Sequence, residues 1–439
     1  MYLPNEVKYT LDKLNKAGFS AYVVGGAVRD ALRGQIPHDY DLCTSATPEQ
    51  MKDVFNRERI IETGISHGTI TVLIDNKPLE ITTFRKESEY TDCRRPDSIS
   101  FVKTIDEDLS RRDFTVNAIA YSPYDGFIDL FNGRSDLENN ILKAVGDADK
   151  RFSEDALRIL RGLRMISEYG FEIEPKTKNA LKERANLLLN ISVERISSEL
   201  MRILCGRYVG RVLREFTDVF GVVLPEILPM KGLDQKNQYH IYDVLEHSIR
   251  AVEQVKAEPA LRFAALYHDT GKPDCMSIDE NGRGHFYAHP KISKKHTELR
   301  TEKLKLSNAL SDEIIFLVEH HDNFIKDEPH IIRRKLVRFG ETRFRNLIRL
   351  KKADCIARGT HEEYLTYFIR LEKLVNEVIN EKPCLTVKSL AVNGYDLINL
   401  GFKGKQIGDI LNKMLGFVIE NPQDNRKEIL LKLVKEGKI

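Results

Sequence analysis

The sequence predicts an α+β fold, with a mixed sheet and helices at the N-terminal end and helical modules after it. Short runs of β-branched and aromatic residues, typical of strands, are concentrated before residue 140. Beyond that point, apolar residues recur with the three- and four-residue spacing of amphipathic helices. With 439 residues, the chain also exceeds the usual size of one hydrophobic core, so several domains are expected.

Composition narrows the class of protein. A chain that is 41% hydrophobic and 31% charged is typical of a soluble globular protein. It has no apolar run near the roughly 20 residues of a membrane span and no signal-peptide pattern at its start, which predicts a cytoplasmic protein without a membrane partner. Because the net charge is only +2, affinity for a nucleic acid must come from a local patch. The sequence does not indicate an oligomeric state.

The first predicted strand ends in a glycine turn. Ala21–Val24 is apolar, Gly25 and Gly26 interrupt it, and a helical pattern follows at Val28–Leu32. In a strand, turn and helix of this kind, free backbone N–H groups face an anion, and glycine lets phosphate oxygens approach where a Cβ would collide. Arg29 adds a charged fork, so the turn predicts a triphosphate site.

Two carboxylates follow the turn. Residues 39–43 predict the next strand, in which Asp39 and Asp41 share one face. Their charges repel unless a cation lies between them, and Mg²⁺ bridging to nucleotide phosphates is the natural occupant. An Asp-x-Asp pair alone is more typical of a solvated loop. Combined with the glycine turn, it indicates a nucleotidyltransferase.

A predicted hairpin supplies a candidate third catalytic acid. Its arms are residues 67–74 and 78–84, and Asp75 and Asn76 form the turn. Glu80, on the second arm, is the candidate. The alternative is an ordinary solvent-facing glutamate.

The stretch from Arg111 to Ala118 combines cations, a carboxylate and an amide. Arg112 suits a phosphate, whereas Asp113 and Asn117 suit ribose hydroxyls. The alternative is the charged start of a helix, which the spacing also allows.

These motifs resemble, in their order along the chain, those of class II tRNA nucleotidyltransferases. They are Gly-Gly-Ala-Val-Arg-Asp at 25–30, Asp-Tyr-Asp at 39–41, Arg-Arg-Asp-Phe-Thr at 111–115 and Glu-Asp-Ala-Leu-Arg-Ile-Leu-Arg at 154–161. The chain looks like a CCA-adding enzyme. The class also includes bacterial poly(A) polymerases and specialists that add only A or only C.

The resemblance implies a polymerase-β-like nucleotidyltransferase head and a role for each motif. It implies catalytic Mg²⁺ on Asp39 and Asp41, the triphosphate at Gly26 and Arg29, phosphate and the ribose 2′-hydroxyl at Arg112 and Asp113, and the base edge of CTP or ATP at Asp155 and Arg158. A protein surface would then replace a nucleic-acid template.

The chemistry of the last motif agrees with that role. A carboxylate and a guanidinium at positions i and i+3 lie on one helix face, so Asp155 and Arg158 can together form hydrogen bonds with the amino group and ring nitrogens of C or A. Arg161 and Arg164 continue the spacing but drift around the helix, which predicts that they lie nearer the phosphates. The alternative is a solvated helix face with an Asp–Arg ion pair.

Residues 84–98 are polar, charged and interrupted by proline, which predicts a mobile loop. The segment resembles the flexible loop of the family, which in CCA-adding members is thought to help the pocket change from CTP to ATP. Its presence favours full CCA addition. The alternative is a plain surface loop.

A second candidate centre is rich in histidine, because nine of the twelve histidines fall between residues 240 and 330. His247, the adjacent His268 and Asp269, and Asp354 resemble the ligands of an HD metal-dependent phosphohydrolase domain. Imidazole and carboxylate ligands suit a divalent transition metal, and such a His–Asp pair can serve one ion while it bridges a second. The candidates for further ligands are His289 and either His320 or His321. The alternatives are buried core histidines, or a domain that keeps the scaffold without hydrolysis.

The C-terminal segment offers a patch for RNA. From Leu385 onward it has nine lysines and arginines against six acids. Lys403 and Lys405, at a probable helix start, suit a phosphate backbone, whereas the alternative is an ordinary helix cap.

The sequence therefore predicts a template-independent tRNA nucleotidyltransferase that adds CCA to the 3′ end of tRNA from CTP and ATP and releases pyrophosphate. The alternatives are an A-adding enzyme or a poly(A) polymerase and, from a different class, an HD phosphohydrolase with a non-catalytic head or an RNA-binding regulator. The predicted domains are a head at 1–140, a neck at 141–230, an HD domain at 231–360 and a tRNA-binding tail at 361–439.

Overall fold

The computed structural model describes residues 1–62, 64–87, 99–359 and 363–439. Most of the predicted loop at 84–98 lies outside the described residues. The chain forms two compact units, Met1–Leu228 with Lys303–Lys305 and Pro229–Glu302 with Leu306–Ile439. The finer division into four domains stays a prediction.

The first unit contains strands β1 Ala21–Val24, β2 Asp41–Thr44, β3 Arg59–Ile61, β4 Thr69–Ile74, β5 Lys77–Thr83, β6 Arg85–Glu87, β7 Ile99–Phe101, β8 Ile119–Ser122, β9 Gly126–Asp129, β10 Ile141–Leu142 and β11 Glu172–Ile173. Seven of them form one mixed sheet, in the order β3-β4-β5-β2-β1-β8-β9. Strand β2 runs antiparallel to β1 and parallel to β5. A small antiparallel pair, β6 and β7, and a short parallel pair, β10 and β11, lie outside this sheet.

Helices cover the sheet and continue beyond it. They are α1 Asn5–Lys16, α2 Gly26–Leu32, α3 Pro48–Val54, α4 Ile105–Ser110, α5 Gly133–Glu138, α6 Ala148–Glu154, α7 Leu157–Tyr169, α8 Pro175–Glu183, α9 Val193–Leu204, α10 Val209–Glu215 and α11 Thr217–Val223. The predicted strand, glycine turn and helix are confirmed as β1, Gly25 and α2. So is the hairpin, because Asp75 and Asn76 both have positive φ, as a two-residue hairpin turn requires.

The sheet is buried on both faces, since side chains alternate along each strand. Val23 and Leu42 belong to one apolar cluster, and Val24 and Cys43 belong to another. Asp41 shares the face of Cys43. The predicted strand over residues 39–43 was wrong at its start, because β2 begins at Asp41 and leaves Asp39 in the preceding loop.

In the described residues of the second unit, the regular structure is helical apart from a short hairpin, β12 Met276–Ile278 with β13 Gly284–Phe286. Its helices are α12 Val244–Gln254, α13 Pro259–Tyr267, α14 Lys272–Cys275, α15 His289–Lys303, α16 Asn308–His320, α17 Pro329–Phe339, α18 Glu341–Ala357, α19 Glu363–Asn380, α20 Gly394–Asn399, α21 Lys405–Glu420 and α22 Lys427–Lys435. The predicted helix start at Lys405 is confirmed, with exposed Lys403 and Lys405 beside Gly404. Among the described helices, none is long and apolar enough to cross a membrane.

Candidate functional site

The sheet register brings the two predicted phosphate and metal motifs together. Val24, which directly precedes the glycine turn, pairs with Asp41 across β1 and β2. Both motifs line a cavity of about 870 Å³ in the first unit. Of the site residues predicted in residues 1–228, the cavity is lined by Gly25, Gly26, Arg29, Asp39, Asp41, Arg112, Asp113, Asn117, Asp155, Arg158, Arg161 and Arg164.

Glu80 is the exception. It is an exposed residue of β5, paired with Thr71, and it does not line the cavity. It directly precedes Ile81, which pairs with Leu42 of β2, so Glu80 lies on the strand beside Asp41. Its role as a third catalytic acid stays a prediction.

Asp41 lies beside a second carboxylate, Asp39, at the cavity. Desolvation in the cavity raises the pKa of its carboxyl, and the nearby Asp39 raises it further. Arg112 and Arg161 oppose both effects. A divalent cation between the two carboxylates would relieve their repulsion, and paired carboxylate oxygens are the donors that Mg²⁺ prefers. These residues therefore fit the metal.

The glycine turn has a steric reason for its composition. Gly25 has a φ of +69°, a conformation that other residues adopt at a cost. A Cβ built there would lie 3.2 Å from Nη1 of Arg112. Arg112 itself donates to the fully buried Asp108 at 3.1 Å. Glycine thus leaves room for an anion beside an arginine that a buried carboxylate holds in place.

Four predicted nucleotide-binding residues form one hydrogen-bonded chain. Arg161 Nε donates to Asp113 Oδ2 at 2.8 Å, Asn117 Nδ2 donates to Asp113 Oδ1 at 3.1 Å, and Arg29 Nη1 donates to Asn117 Oδ1 at 2.7 Å. Arg29 also donates to the Tyr169 hydroxyl at 2.8 Å. Arg29 lines the cavity with its guanidinium bound to these protein acceptors, and its role at the triphosphate stays a prediction.

Burial alone would raise the pKa of Asp113, but the guanidinium of Arg161 and the amide of Asn117 outweigh it. The pKa of Asp113 is consequently well below its usual range. Arg161 stays 38% exposed on its side chain, so it can still meet a ligand while it holds Asp113.

The base-reading pair is arranged differently from the prediction. Asp155 lies in extended backbone between α6 and α7, not on the helix that carries Arg158. Its Oδ1 accepts from the backbone N–H of Leu157 at 3.0 Å, and its Oδ2 accepts from Arg195 Nη2 at 3.0 Å. The shared helix face was therefore a wrong prediction, although both residues still line the cavity.

The guanidinium of Arg158 is fixed by neighbouring acceptors. It donates to Glu154 Oε2 at 2.8 Å and to the backbone carbonyls of Arg151 and Arg111 at 3.1 and 2.9 Å. Arg158 is thus ion-paired with Glu154, whereas Asp155 is ion-paired with Arg195. Separate partners hold the two side chains at the same cavity.

Arg164 ties α7 to α9. It is buried and donates to Glu199 at 2.7 Å and to Glu168 at 3.0 Å. Its predicted position nearer the phosphates stays a prediction. Arg195 and Tyr169, which sequence reasoning missed, reach the cavity because α9 and the end of α7 pack beside it, and no local motif marks them.

The second unit contains two groups of potential metal ligands, and within each group the ligand atoms all lie within 4.8 Å of one another. One group is His247, His268 and Asp354, and the other is Asp269, His289 and His321. Asp269 faces both groups. Its Oδ2 lies 3.4 Å from His247 Nε2 and 3.2 Å from His268 Nε2, and its Oδ1 lies 3.3 Å from His289 Nε2. The predicted quartet is thus brought together, and Asp269 lies between two halves.

The tautomers of three of these histidines follow from their backbone partners. Nδ1 of His268, His289 and His321 lies 2.8, 2.9 and 2.7 Å from the carbonyl oxygens of Ala265, Phe286 and Val318. A carbonyl oxygen can only accept, so Nδ1 is the donor and Nε2 of each neutral ring carries a lone pair.

Ring nitrogens of four histidines converge in two pairs. His247 Nε2 lies 3.3 Å from His268 Nε2, and His289 Nε2 lies 3.2 Å from His321 Nε2. Imidazole nitrogens beside a carboxylate are the donor set of a transition-metal site, so the residues fit such a metal. The structure also decides between His320 and His321 as the further candidate ligand. His321 belongs to the second group, whereas His320 packs its ring against Phe316 and Phe339.

Three family models match successive parts of the chain. Residues 21–143 match the poly A polymerase head domain, 170–230 match the probable RNA and SrmB-binding site of polymerase A, and 238–359 match the HD domain.

Three proteins illustrate the similarity. The CCA-adding enzyme of Streptococcus agalactiae serotype V is 34% identical over 99% of this chain and 98% of its own length. That of Leuconostoc citreum is 51% identical over 46% of this chain and 50% of its own length. The structure of the Bacillus stearothermophilus CCA-adding enzyme in complex with CTP superposes with a TM-score of 0.74 at 30% identity, over 100% of this chain and 98% of that one. The chain belongs to the family of CCA-adding enzymes.

Proposed function

We propose that the cavity of the first unit adds CCA to the 3′ end of tRNA from CTP and ATP. One observation carries this proposal: the glycine turn, the two aspartates, and Asp155 with Arg158 line a single cavity. The relative solved with CTP supports the choice of nucleotide. We also propose that the protein works in the cytoplasm, as its sequence predicts.

The reaction joins the tRNA to a nucleoside monophosphate. The terminal 3′-hydroxyl oxygen attacks the α-phosphorus, the bond to the β-phosphate breaks, the hydroxyl proton is lost and pyrophosphate leaves. Asp39 and Asp41 would hold Mg²⁺, which when bound supplies neutralising charge to the hydroxyl and the triphosphate. Arg112 and Arg161, both at the cavity, place positive charge beside the transferred phosphate.

Base choice rests on Asp155 and Arg158. A carboxylate that accepts and a guanidinium that donates match the amino group and ring nitrogen of C and A, whereas U and G present the opposite pattern. The hydrogen bonds of Arg158 to Glu154 and two carbonyls hold its donors in place before a nucleotide arrives. The exposed Lys403 and Lys405 are proposed to bind the tRNA backbone.

The test uses three tRNA transcripts that end before CCA, after C and after CC, and an unrelated RNA, each with Mg²⁺ and with CTP and ATP separately and together. Ordered CCA addition to the three tRNAs, lost in Asp41→Ala, is the expected result. Addition of A to the CC-ended tRNA alone would show an A-adding enzyme, and long A tails on every RNA would show a poly(A) polymerase.

We also propose a second activity, metal-dependent hydrolysis of phosphate esters in the second unit. The observation that favours it is the position of Asp269, with one oxygen toward each group of histidines. Two divalent transition-metal ions would be held there, and when bound they supply a nucleophilic hydroxide and neutralise the phosphate.

Loss of each activity in a different variant tests this second proposal. Bis(p-nitrophenyl) phosphate hydrolysis with Mn²⁺, Co²⁺ or Ni²⁺ is expected in wild type and in Asp41→Ala, but not in Asp269→Ala. CCA addition is expected in wild type and in Asp269→Ala, but not in Asp41→Ala. Hydrolysis that survives Asp269→Ala, or that is absent with every metal, would contradict the proposal.

A further inference from the structure

A short helix of the first unit carries a carboxylate that is shielded from solvent. Asp108, in α4, is fully buried and does not line the cavity of the first unit. Its helix neighbours Ile105 and Leu109 belong to the apolar cluster of Cys43, on the sheet face that also carries Asp41. Burying an ionised carboxylate costs free energy unless charged groups and hydrogen bonds compensate for the lost water. The partners of Asp108 therefore indicate what its charge does.

Two arginines compensate for the burial of this carboxylate. Arg111 donates to Oδ1 of Asp108 with Nε at 3.0 Å and with Nη2 at 2.7 Å, and Arg112 Nη2 donates to Oδ2 at 3.1 Å. The backbone N–H of Arg85 adds a longer hydrogen bond of 3.4 Å to Oδ1. Burial alone would raise the pKa of Asp108, but the charges of Arg112 and Arg111 outweigh it and lower the pKa. Asp108 is thus ionised at neutral pH, and each of its oxygens holds a different arginine.

Arg112 connects Asp108 to the glycine turn. One end of its guanidinium, Nη2, is bound to Asp108, and the other, Nη1, lies 3.2 Å from the position that a Cβ on Gly25 would take. Burial raises the pKa of Asp41, and the charge of Arg112 opposes this increase, so the guanidinium also lies near that aspartate. Asp108 therefore fixes the direction of a cation beside the residues that are proposed to bind triphosphate and metal.

Arg111 connects the same carboxylate to the proposed base reader. Arg111 ends α4, and its backbone carbonyl oxygen accepts from Arg158 Nη2 at 2.9 Å. The preceding carbonyl, of Ser110, accepts from Arg151 Nη1 at 3.2 Å. The last carbonyls of a helix lack partners within the helix, so cationic donors are favourable there. The guanidinium of Arg158 is thus held by the end of a helix whose last side chain is bound to Asp108.

We propose that Asp108 is a positioning residue that holds the phosphate-binding Arg112 and, through Arg111, the base-reading Arg158 in a fixed relation to one another. The inference deepens the proposed nucleotidyl transfer in this cavity and rests on it. Because Asp108 does not line the cavity, it acts on a nucleotide only through these arginines. Loss of its charge should therefore weaken phosphate transfer and base choice together, although they concern opposite ends of the nucleotide.

The test replaces Asp108 by asparagine, which removes the negative charge and keeps the size of the side chain. The matched control is Asp106→Asn, since Asp106 is an exposed carboxylate of the same helix and does not line the cavity. Each protein is given Mg²⁺, a tRNA transcript that ends before CCA, and either CTP or UTP. The measured quantities are kcat and KM for the first addition, the dissociation constants of CTP and UTP by calorimetry, and the unfolding temperature.

Asp108→Asn is expected to lower kcat with CTP at least about tenfold, because a group misplaced by about 1 Å can cost about a hundredfold in rate. The ratio of kcat/KM for CTP over UTP should fall by a similar factor, whereas Asp106→Asn should match wild type in both quantities. This ratio separates positioning from stability. A smaller folded fraction lowers kcat/KM equally for both nucleotides and leaves their ratio unchanged.

A second variant, Arg111→Lys, keeps the test decisive if Asp108→Asn does not fold. Lysine keeps a cation beside Asp108 but loses the paired Nε and Nη2 donors, so the carbonyl that accepts from Arg158 is held less firmly while Arg112 stays paired. The CTP to UTP ratio should fall in this variant, with a smaller loss of kcat than in Asp108→Asn. An unchanged ratio in Arg111→Lys, or in a folded Asp108→Asn, would overturn the link to Arg158. A wild-type kcat in Asp108→Asn would overturn the link to Arg112.

Nucleotide binding separates this inference from the proposed function. If the wild type incorporates no nucleotide, the proposed transfer fails, and the dissociation constants of CTP and UTP take the place of kcat/KM. A preference for CTP that is present in wild type and lost in Asp108→Asn would still support the positioning role. A preference that Asp108→Asn keeps, or that the wild type lacks, would overturn it.

Discussion

Arg29 and Asn117, 88 residues apart in the chain, are joined by a hydrogen bond of 2.7 Å from Nη1 to Oδ1. Arg29 belongs to the helix after the glycine turn, and Asn117 follows the Arg-Arg-Asp motif. Through Asn117 the bond continues to Asp113 and Arg161. The three motifs that resemblance assigns to the nucleotide are therefore one connected structure, and disturbing one member is expected to move the others.

Replacing Asn117 by alanine should weaken this connection. Buried Arg29 loses an acceptor, and an unsatisfied buried donor costs about 1–3 kcal/mol, so the thermal unfolding temperature should fall. We expect kcat/KM for CTP to drop about tenfold because Asp113 and Arg29 both lose orientation. The control is Asn139→Ala, since Asn139 is exposed and its side chain donates to Ser135 one helical turn earlier. Equal effects of the two variants would contradict the role of the network.

Asp155→Ala should reduce base discrimination more than it reduces turnover. It removes the acceptor proposed for the amino group of C and A, and a hydrogen bond to a charged group contributes about 1.5–3 kcal/mol. The ratio of kcat/KM for CTP over UTP should therefore fall at least about tenfold. Arg195→Ala, which frees Asp155 Oδ2, should give a smaller change in the same ratio.

The comparison variant for discrimination is Arg211→Ala, whose ion pair with Glu172 is on the surface and away from the cavity. Surface pairs contribute little, about 0–1 kcal/mol, so its CTP to UTP ratio should match wild type. An unchanged ratio in Asp155→Ala would exclude Asp155 as a base reader.

The number of metal ions bound per chain should show whether the two ligand groups of the second unit each hold one ion. After dialysis against Ni²⁺ or Mn²⁺ and removal of free ions, elemental analysis should find two ions per chain in wild type. His321→Ala should retain one ion, and Asp269→Ala should retain none, because Asp269 faces both groups. His320→Ala is the matched control, since its ring packs against phenylalanines. Two ions in His321→Ala would contradict the assignment.

The ion pair of Asp113 with Arg161 predicts a pH window for stability. The pKa of Asp113 is lowered in the folded protein, so its stabilisation is fully present above the unfolded value, about 3.9. It is lost as the pH falls through the folded pKa. The gap in unfolding temperature between wild type and Asp113→Asn should thus be constant from about pH 8 to pH 5 and narrow below about pH 4. A gap that changes near neutral pH would contradict the pair as its source.

Local sequence patterns were enough to predict several strands of the N-terminal head. The apolar run before Gly25, the period-two alternation of the hairpin arms and the residues of its turn predict β1, β4 and β5 because they depend on neighbours in the chain. The clustering of histidines likewise indicated a metal site. By contrast, the start of β2 at Asp41 depends on its pairing with Val24, a partner that the local pattern does not contain.

Sequence alone determined which chemical groups the protein possesses: the glycine turn, the aspartate pair, the arginines and the histidine ligands. Only the tertiary structure decided their partners. It joined Asp155 to Arg195 and Arg158 to Glu154, chose His321 over His320, and set Asp269 between two groups of ligands. The physical reason is that hydrogen bonds and metal sites act over about 3 Å, and which distant residues come that close is fixed by helix packing and strand register.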